Sequence, residues 1–277
     1  MLDNGLSDAT RSRLLEVVHA TGRSDGVRWI RIPPDERLRP FETDSRLTPS
    51  TYSRLLIPEF MPAHIRRAIY LDADLLIRED LAPLFEADLG DAPIGAVRDF
   101  AIPITTDEAS GVRDRSQPRP YFNAGVLVMD MPRWRNTRLA DRALEYAAAG
   151  EHPLPNREQD ALNAVAGNWA ELDFRWNVQH TYFPKIKPPA LDGVVGSPRR
   201  QRRTLYRNAA VLHFIGEPKP WYRYCATPGT TAWGRDLIRS GWYSRGETLS
   251  WVLRYARNRA RYWLGTKKRQ LGRMGRG

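Results

Sequence analysis

The sequence has a single cysteine, Cys225, among its 277 residues, so no disulfide bond can form within the chain. A chain of this size without disulfides is typical of a reducing compartment, and we expect it in the cytoplasm. The sequence also has no apolar run that approaches the roughly 20 residues of a membrane-spanning helix. Hydrophobic residues still make up 42% of the chain, which is enough for a sizeable core and excludes a disordered protein.

Acidic residues are absent from the end of the chain. Residues 251–277 contain no Asp or Glu and nine basic residues: Arg254, Arg257, Arg259, Arg261, Lys267, Lys268, Arg269, Arg273 and Arg276. The net charge of +11 comes mainly from this segment, since residues 1–250 carry 34 basic and 32 acidic residues. We therefore divide the chain into a nearly neutral domain, residues 1–245, and a basic tail, residues 246–277.

A helical wheel of the tail separates an aromatic and apolar group from a basic group. The first comprises Trp251, Val252, Tyr255, Tyr262 and Trp263, and the second comprises Arg254, Arg257 and Arg261. Aromatic residues beside a basic face are typical of a helix that lies on an anionic membrane surface. The alternative is a solvated helix that packs on the domain through its aromatic residues. Nucleic acid is a rival partner for basic segments, but the tail has no recognised DNA- or RNA-reading motif and we expect none to bind.

Strand and helix patterns alternate along the domain. Apolar runs predict strands at residues 27–32, 67–71, 94–97, 122–129 and 209–214, and helical periodicity predicts helices at residues 8–19, 52–57, 139–149 and 157–166. Such alternation predicts an α/β fold with a mainly parallel central sheet covered on both faces. Ligands of these sheets bind outside the carboxyl ends of the strands, where Asp72, Asp74, Asp99 and His213 are expected.

The most specific local feature is Tyr70-Leu71-Asp72-Ala73-Asp74, with two carboxylates one residue apart after an apolar run. Side chains two apart on a strand point the same way, so Asp72 and Asp74 could share one hard cation. Two like charges placed together are costly unless something positive lies between them, and Mg²⁺ or Mn²⁺ carrying a diphosphate meets this need. The alternative is an ordinary strand-to-loop junction, where acidic residues are common.

Two further segments combine amides and acids. Asn123 lies beside Ala124 and Gly125, where a sugar could approach the backbone closely, although a tight strand entry gives the same pattern. Glu158 and Gln159 fall in the first turn of a helix, where they could contact a ligand or simply cap and charge the helix end.

A third segment, residues 212–221, places His213 on a strand, Gly216 at a turn and Lys219 between two prolines. A lone strand histidine is either a ligand or a core residue with satisfied hydrogen bonds. Read alone, the segment leaves both interpretations open.

Taken together and in this order, these segments resemble glycosyltransferase family 8, the metal-dependent retaining enzymes with a nucleotide-sugar-binding (GT-A type) α/β fold. Within it the chain is most similar to bacterial lipopolysaccharide α-galactosyl- and glucosyltransferases. The matching segments are LDNGLS (2–7), TYSRL (51–55), YLDADLLI (70–77), DLAPL (80–84), YFNAGVLVMD (121–130) with Trp134, EQDALN (158–163), FRWN (174–177) and HFIGEPKPW (213–221). The resemblance covers residues 2 to 240, and several spaced motifs together are more specific than any one.

The resemblance implies that residues 1–245 form a catalytic domain with a UDP-sugar site. Asp72, Asp74 and His213 would hold Mn²⁺, or Mg²⁺, on the diphosphate, and Lys219 with the Gly216 backbone would contact the phosphates. The further donor-binding positions are Arg54, Ala73, Asp99, Asn123, Ala124, Gly125, Glu158 and Gln159. Of these, Asp99, Asn123, Glu158 and Gln159 form the implied catalytic set, with Gln159 under the anomeric carbon.

The neutral side chain of Gln159 bears on the mechanism. A retaining double displacement needs a carboxylate nucleophile near the reacting carbon, and an amide is a poor nucleophile. The resemblance therefore implies front-face return, in which the acceptor hydroxyl attacks from the side that UDP leaves. The protein would then contribute positioning and electrostatic stabilisation.

The chain departs from the family pattern at two places. Glu158 stands where most relatives in this subgroup have aspartate, which keeps the charge and lengthens the reach. Family members also begin with a strand and turn that bind uridine, followed by a helix, so the pattern predicts a β-α unit of roughly 30 residues ahead of Met1. Two explanations stay open: a longer natural protein, or a truncated relative that is weak or inactive.

We expect a metal-dependent retaining hexosyltransferase that moves galactose or glucose from a UDP-sugar to a lipid-linked or oligosaccharide acceptor of the cell envelope, such as the lipopolysaccharide core. It would lie peripherally on the inner face of the cytoplasmic membrane. The alternative is a catalytically inactive, membrane-associated sugar-binding or scaffold protein. A haloacid dehalogenase-type phosphohydrolase also has a strand-end D-x-D, but members of that family have Thr or Val at the position where this chain has Leu75.

A second basic cluster comprises Arg199, Arg200, Arg202, Arg203 and Arg207. It could contact phosphates of the acceptor or be a solvated loop.

Overall fold

The computed structural model describes residues 1–3, 5–22, 26–31, 35–41, 50–99, 120–151, 154–179, 204–216, 219–222 and 229–274. The loop at residues 100–119, Cys225 and most of the second basic cluster lie outside these residues. The strands are β1 (Leu2–Asp3), β2 (Ile30–Arg31), β3 (Arg67–Leu71), β4 (Leu75–Ile77), β5 (Ile94–Arg98), β6 (Phe122–Asp130), β7 (Ala170–Glu171), β8 (Val178–Gln179) and β9 (Val211–His213).

The α-helices are α1 (Asp8–His19), α2 (Ser50–Ser53), α3 (Ile57–Phe60), α4 (Ala82–Phe85), α5 (Met131–Asn136), α6 (Leu139–Ala149), α7 (Glu158–Val165), α8 (Thr230–Arg239) and α9 (Arg245–Met274). Short 3₁₀ helices cover Glu36–Phe41, Arg54–Leu56 and Phe174–Asn177. Helices α1 and α6 have the predicted bounds. The Ser7 side chain caps α1 by accepting from the backbone N–H of Thr10, and Gly150 ends α6 in the left-handed conformation.

The strands form three sheets, two of them mixed and one a single parallel pair. One has the order β3-β6-β5-β7, a second has the order β4-β9-β8, and β1 pairs with β2. Strand β6 runs antiparallel to both β3 and β5, and β4 runs antiparallel to β9, whereas the β5–β7, β8–β9 and β1–β2 pairs are parallel. The α/β fold is as predicted, but the sheet is not mainly parallel. Strand β6 is buried from Phe122 to Met129, and an apolar run buried on both faces gives no information about strand direction.

The core lies on the two faces of β6. Phe122, Leu127 and Met129 pack with the helical layer of α5, α6 and α7, where Trp134 and Leu162 are fully buried. Val126 and Val128 belong to a second cluster with side chains from α4 and β9. Each fully buried large apolar side chain stabilises the fold by about 1.5–3 kcal/mol. This double burial makes β6 the rigid centre on which the polar residues at its N-terminal end are held.

The basic tail begins as α9, and its first turns pack on the domain. Trp251 is 7% exposed and lies against Gly234 of α8, where a Cβ atom would come within 1.9 Å of the Trp251 ring. The Trp251 ring also stacks on Tyr255 with centroids 5.2 Å apart. Three apolar side chains of the same helix face away from the domain instead, namely Leu249, Val252 and Leu253. Within the described part of the chain, we find no helix with the length and apolar character needed to cross a bilayer.

Candidate active site

Strand ends from both larger sheets meet at one edge of the molecule. Strand β3 ends just before Asp72, β5 ends just before Asp99, and β9 ends at His213. Because β6 runs antiparallel to β3 and β5, its first residues, including Asn123, lie at the same edge. These side chains line an open cavity of about 420 Å³, together with Thr51, Arg54, Asp74, Pro155, Asn156, Arg157, Glu158, Gln159, Ile215 and Gly216.

The two carboxylates of the D-x-D segment lie in a turn and not on a strand. Strand β3 ends at Leu71, and residues 72–74 connect it to β4, a strand that the sequence pattern did not predict. The two-residue strand period is therefore not what brings Asp72 and Asp74 together. The turn does so, and β4 then pairs with β9 to bring in His213. The Nε2 atom of His213 lies 3.2 Å from Asp74 Oδ1 and 3.7 Å from Asp72 Oδ2.

The residues present fit a divalent cation. Asp72, Asp74 and His213 each offer one ligand atom, and these atoms all lie within 4.8 Å of one another. Gly125 makes this approach possible, since a Cβ atom there would lie 2.2 Å from His213 Cε1 and 2.9 Å from Asp72 Oδ2. Two carboxylates and an imidazole suit Mn²⁺, and carboxylates also suit Mg²⁺. The three residues predicted as metal ligands are thus brought together.

Lys219 lies at the edge of this cluster. Its ammonium group donates to the Asp74 carboxylate and, at 2.7 Å, to the carbonyl of Phe214. Burial alone would raise the pKa of Asp74, but His213 and Lys219 hold it below its ordinary value. Gly216, which lines the cavity, has φ of 60°, a backbone conformation that glycine adopts without strain. Asp74 is consequently ionised at neutral pH.

A β-bulge exposes the backbone of Ala124 and Gly125 to the site. Ala96 of β5 pairs with Leu127, but the next residue, Val97, pairs with Asn123, so residues 124–126 have no partner on β5. Their backbone groups bond to the site instead. The N–H of Ala124 donates to Gln159 Oε1 at 2.9 Å, its carbonyl accepts from Arg54 at 3.0 Å, and the carbonyl of Gly125 accepts from the N–H of Asp72 at 2.9 Å. Bulges are frequent beside active sites because they redirect side chains in this way.

Arg54 joins the metal cluster to the first turn of α7. Its Nη2 atom lies 3.1 Å from Asp72 Oδ1 and 3.2 Å from Glu158 Oε1. Burial opposes the charge of Arg54, but Asp72, Tyr70 and Glu158 together raise its pKa above the ordinary value. The hydroxyl of Tyr70 also donates to Asp72 Oδ1 at 2.6 Å. Arg54 is therefore a fixed positive charge between two acids.

Glu158 differs from Asp74 in that its pKa is raised and not lowered. Burial raises its pKa to about 7, although the Arg54 guanidinium opposes the shift. Its Oε2 atom is buried and has no hydrogen-bond partner among the described residues. Arg157, immediately before it, adopts φ of 58°, which is strained for a residue other than glycine. A buried acceptor without a partner in a cavity wall is suited to a ligand hydroxyl.

Gln159 is held at both ends of its amide. Oε1 accepts from Ala124, and Nε2 donates to the Tyr121 hydroxyl at 3.0 Å. That hydroxyl in turn donates to Asp160 Oδ1 at 2.5 Å, and Asp160 also accepts from the N–H of Asn156 at 2.6 Å. No role was predicted from the sequence for Tyr121 or Asp160, although both lie in matching segments, YFNAGVLVMD and EQDALN. These contacts fix the Gln159 amide in one orientation.

Asn123 and Asp99 form the remaining part of the predicted set. Asn123 Nδ2 donates to Asp99 Oδ2 at 3.2 Å, and its Oδ1 accepts from the N–H of Gly125 at 3.0 Å. Asn177, from the FRWN segment, donates to the same Oδ1 at 2.9 Å. Ala73 lies in the turn between the two carboxylates. The structure therefore places all of the predicted site residues around one cavity edge, and adds Asn177, Tyr121 and Asp160.

The strand topology, the D-x-D turn beside a strand histidine and the open cavity define the class of protein: a glycosyltransferase with the GT-A type fold. The comparisons with known proteins are more specific. The sequence profile described as glycosyl transferase family 8 matches residues 13–225, and the chain therefore belongs to that family.

Several named proteins are similar to this chain over much of its length. General stress protein A of Bacillus subtilis is 30% identical over 80% of this chain and 75% of its own length. Lipopolysaccharide 1,2-glucosyltransferase of Escherichia coli is 23% identical over 69% of this chain, and lipopolysaccharide 1,3-galactosyltransferase of Salmonella typhimurium is 25% identical over 75%. The chain spans only 54% and 59% of the lengths of these two transferases.

A solved structure agrees with this assignment. The galactosyltransferase LgtC, in complex with donor and acceptor sugar analogues, superposes with a TM-score of 0.70 and is 26% identical. The match covers 90% of this chain and 87% of LgtC. The predicted family and the GT-A type fold are confirmed.

Proposed function

We propose that this protein is a metal-dependent retaining hexosyltransferase that moves galactose or glucose from a UDP-sugar to a cell-envelope glycan such as the lipopolysaccharide core. The observation that carries the proposal is the convergence of Asp72, Asp74 and His213 around Gly125, beside Lys219 and at the edge of a cavity of about 420 Å³. The relatedness to two lipopolysaccharide hexosyltransferases and to LgtC supports the choice of sugar and acceptor class.

The site residues divide into a phosphate side and a sugar side. Mn²⁺, or Mg²⁺, bound by Asp72, Asp74 and His213 would supply positive charge for the diphosphate. Lys219 would add to it by donating to a phosphate oxygen, which stabilises the charge that develops on departing UDP. On the sugar side, Glu158 and the Asp99–Asn123 pair offer acceptors and donors for the sugar hydroxyls.

Gln159 fits a reaction without an enzyme nucleophile. Its amide is neutral and held by Ala124 and Tyr121, so its role is positioning and dipole stabilisation of a carbon with developing positive charge. In the proposed step, the bond from the anomeric carbon to the UDP oxygen breaks and the bond to the acceptor oxygen forms on the same face. The acceptor proton passes to the leaving phosphate.

We also propose that the basic tail, residues 246–277, holds the enzyme on the inner face of the cytoplasmic membrane. Leu249 and Leu253 are 60% and 62% exposed and lie one turn apart on α9, and the exposed Arg257 and Arg261 belong to the same helix. Apolar side chains next to basic ones suit an anionic lipid surface. A lipid-linked acceptor would be found at that surface.

The release of UDP from UDP-galactose and UDP-glucose, with and without Mn²⁺, tests the enzymatic proposal. Asp72→Ala and Asp74→Ala should each abolish Mn²⁺-dependent release, because each removes a ligand carboxylate. Asp91→Ala is the matched control, since the Asp91 side chain is fully exposed and outside the cavity. Release that needs no metal, or that survives in Asp74→Ala, would refute the proposal, and binding of UDP-sugar without release would favour the inactive sugar-binding alternative.

A further inference from the structure

A chain of four buried polar side chains runs behind the candidate metal site. Asp99, Asn123, Asn177 and His213 are 4%, 6%, 1% and 2% exposed. Asp99 is linked to Asn123 at 3.2 Å, Asn123 to Asn177 at 2.9 Å, and Asn177 to Nδ1 of His213 at 2.9 Å. The chain therefore connects the implied sugar side of the cavity to the histidine of the metal cluster.

One backbone group determines the direction of each of the three hydrogen bonds that link Asp99 to His213. The N–H of Gly125 can only donate, and it donates to Oδ1, the single oxygen of the Asn123 side chain. That oxygen can then only accept from Asn177, so the NH₂ group of Asn177 faces Asn123 and its Oδ1 faces His213. The other end of Asn123, its NH₂ group, donates to the carboxylate of Asp99.

The tautomer of His213 follows from this direction. Since Asn177 presents an oxygen to Nδ1, Nδ1 carries a proton in every protonation state of the ring. The charged ring also carries a proton on Nε2 and lowers the pKa of Asp74, whereas the neutral ring, the form that binds a metal, has its lone pair on Nε2. Nε2 is the atom that faces the carboxylates of Asp72 and Asp74. The ring is therefore prepared to bind a cation through Nε2.

We propose that Asn177 is the positioning residue of the metal site: it fixes His213 as the Nδ1–H tautomer and links the histidine to the sugar-side amide of Asn123. The metal and sugar in this statement rest on the proposed function. Ligand histidines commonly donate their second N–H to an oxygen acceptor, and loss of that acceptor weakens metal binding by roughly 10–100-fold.

The backbone around Asn177 is well placed for this role. Asn177 ends a 3₁₀ helix, and the next residue, Val178, pairs with Leu212 in the parallel β8–β9 ladder. The strand that carries His213 thus also fixes the segment that carries Asn177. Asn177 is 1% exposed, and its side chain makes its hydrogen bonds to Asn123 and His213 within the protein.

The test compares Asn177→Leu with the wild-type chain. In the metal-free protein, at a pH where the ring is neutral, ¹⁵N NMR of the histidine ring should show the Nδ1–H tautomer for wild type and its loss in Asn177→Leu. Manganese EPR should show an Mn²⁺ dissociation constant raised roughly 10–100-fold in the same variant. Gln179→Met is the matched control, because Gln179 is a buried amide on the same segment with no hydrogen-bond partner among the described residues.

A conservative variant separates positioning from packing. Asn177→Asp keeps an oxygen acceptor for Nδ1–H and loses the donor to Asn123, so tautomer and Mn²⁺ affinity should stay near wild type while UDP-sugar binding weakens. An unchanged tautomer in Asn177→Leu, or an Mn²⁺ affinity reduced by less than about threefold where 10–100-fold is expected, would overturn the proposal. A wild-type chain that shows the Nδ1–H tautomer but binds no Mn²⁺ would instead refute the proposed function and support the tautomer assignment.

Discussion

Leu75 and His213 are direct partners in the antiparallel pairing of β4 with β9. The residue before Leu75 is Asp74, so this register places the Asp74 carboxylate beside the imidazole, with Nε2 and Oδ1 3.2 Å apart. The N–H of Phe214 donates to the carbonyl of Asp74 at 2.9 Å and extends the same pairing. A three-residue strand thus joins two segments that are about 140 positions apart in sequence into one cluster of candidate metal ligands.

Substituting Gly125 by alanine should damage the metal site directly. The new Cβ atom would lie 2.2 Å from His213 Cε1, and both atoms belong to rigid groups, so the imidazole must move away from Asp72. We expect the Mn²⁺ affinity, measured by EPR or calorimetry, to fall by on the order of 100-fold.

Gly95→Ala is the control for general overpacking. Its Cβ atom would lie 2.4 Å from Leu89 Cδ2 in the core, near the opposite end of β5. Both variants should lose about 1–3 kcal/mol of unfolding free energy, but only Gly125→Ala should lose Mn²⁺ affinity. Equal Mn²⁺ affinity in the two variants would contradict the role of Gly125.

The ionisation of Glu158 should make stability depend on pH. Its folded-state pKa, about 7, lies above the ordinary value of 4.5, so the folded state binds more protons than the unfolded state between these pH values. This contribution is fully present below pH 4.5 and is lost as pH rises through 7. Glu158→Gln has no carboxyl group to ionise and so avoids this loss. We expect its free energy of unfolding to exceed that of wild type by on the order of 2 kcal/mol at pH 8, with little difference at pH 4.5.

Denaturant unfolding at several pH values would measure this difference, with the exposed Glu171→Gln as control. The prediction fails if Glu158→Gln and wild type follow the same pH dependence. A stabilised variant that has lost UDP-sugar binding would identify Glu158 as a residue kept for function at a cost in stability.

Gly234 should be required for the docking of α9. Alanine at this position would place a Cβ atom 1.9 Å from Trp251 and force the ring out of its site between the two helices. We expect faster amide hydrogen exchange over the first turns of α9 and a loss of about 1–3 kcal/mol of unfolding free energy. Gly246→Ala, which adds a Cβ atom with no atom within 4 Å and replaces glycine by a better helix former, should not speed exchange. Similar exchange rates in the two variants would argue against a docked helix.

Membrane attachment should depend on the outward apolar face of α9. Leu253 is 62% exposed, and Leu253→Glu replaces its apolar surface by a charge that anionic lipid repels. We expect its binding to phosphatidylglycerol vesicles to be weaker by roughly tenfold or more, and wild-type binding to decline with added salt. Ile238→Glu on α8 introduces the same charge at an apolar side chain that is 45% exposed and should bind as wild type does. Salt-independent binding, or equal binding by the two variants, would refute the attachment through α9.

The local patterns of the sequence predicted much of the fold for a physical reason. The 3.6-residue period of α1 and α6 and the apolar runs of β3 and β6 depend only on neighbouring residues, and the structure has these elements close to the expected bounds. The direction of β6 was not predictable in this way, because it is buried on both faces. Strand β4 was also missed, since its three residues continue an apolar run that the D-x-D turn interrupts.

The aromatic residues of the tail likewise combine a feature that the local pattern predicted with one that it did not. The sequence correctly indicated a helix, and its wheel placed Trp251 and Tyr255 on one side with the apolar residues. Which side faces the domain depends on a partner surface, and the partner is the small residue Gly234 on α8. The aromatic side therefore packs inward at Trp251, while Leu249 and Leu253 face outward.

The order and spacing of the motifs were enough to predict the family, the three candidate metal ligands and a neutral residue at position 159, because spaced motifs keep their order whatever the contacts between them. How those residues are held could be seen only in the folded molecule: in the register of β4 on β9, in the bulge that removes Ala124 and Gly125 from the β5 ladder, and in the hydrogen bond between His213 Nδ1 and Asn177 Oδ1. Each of these contacts joins residues distant in sequence, and its geometry depends on strand register and on one backbone N–H, which no local pattern of residues records.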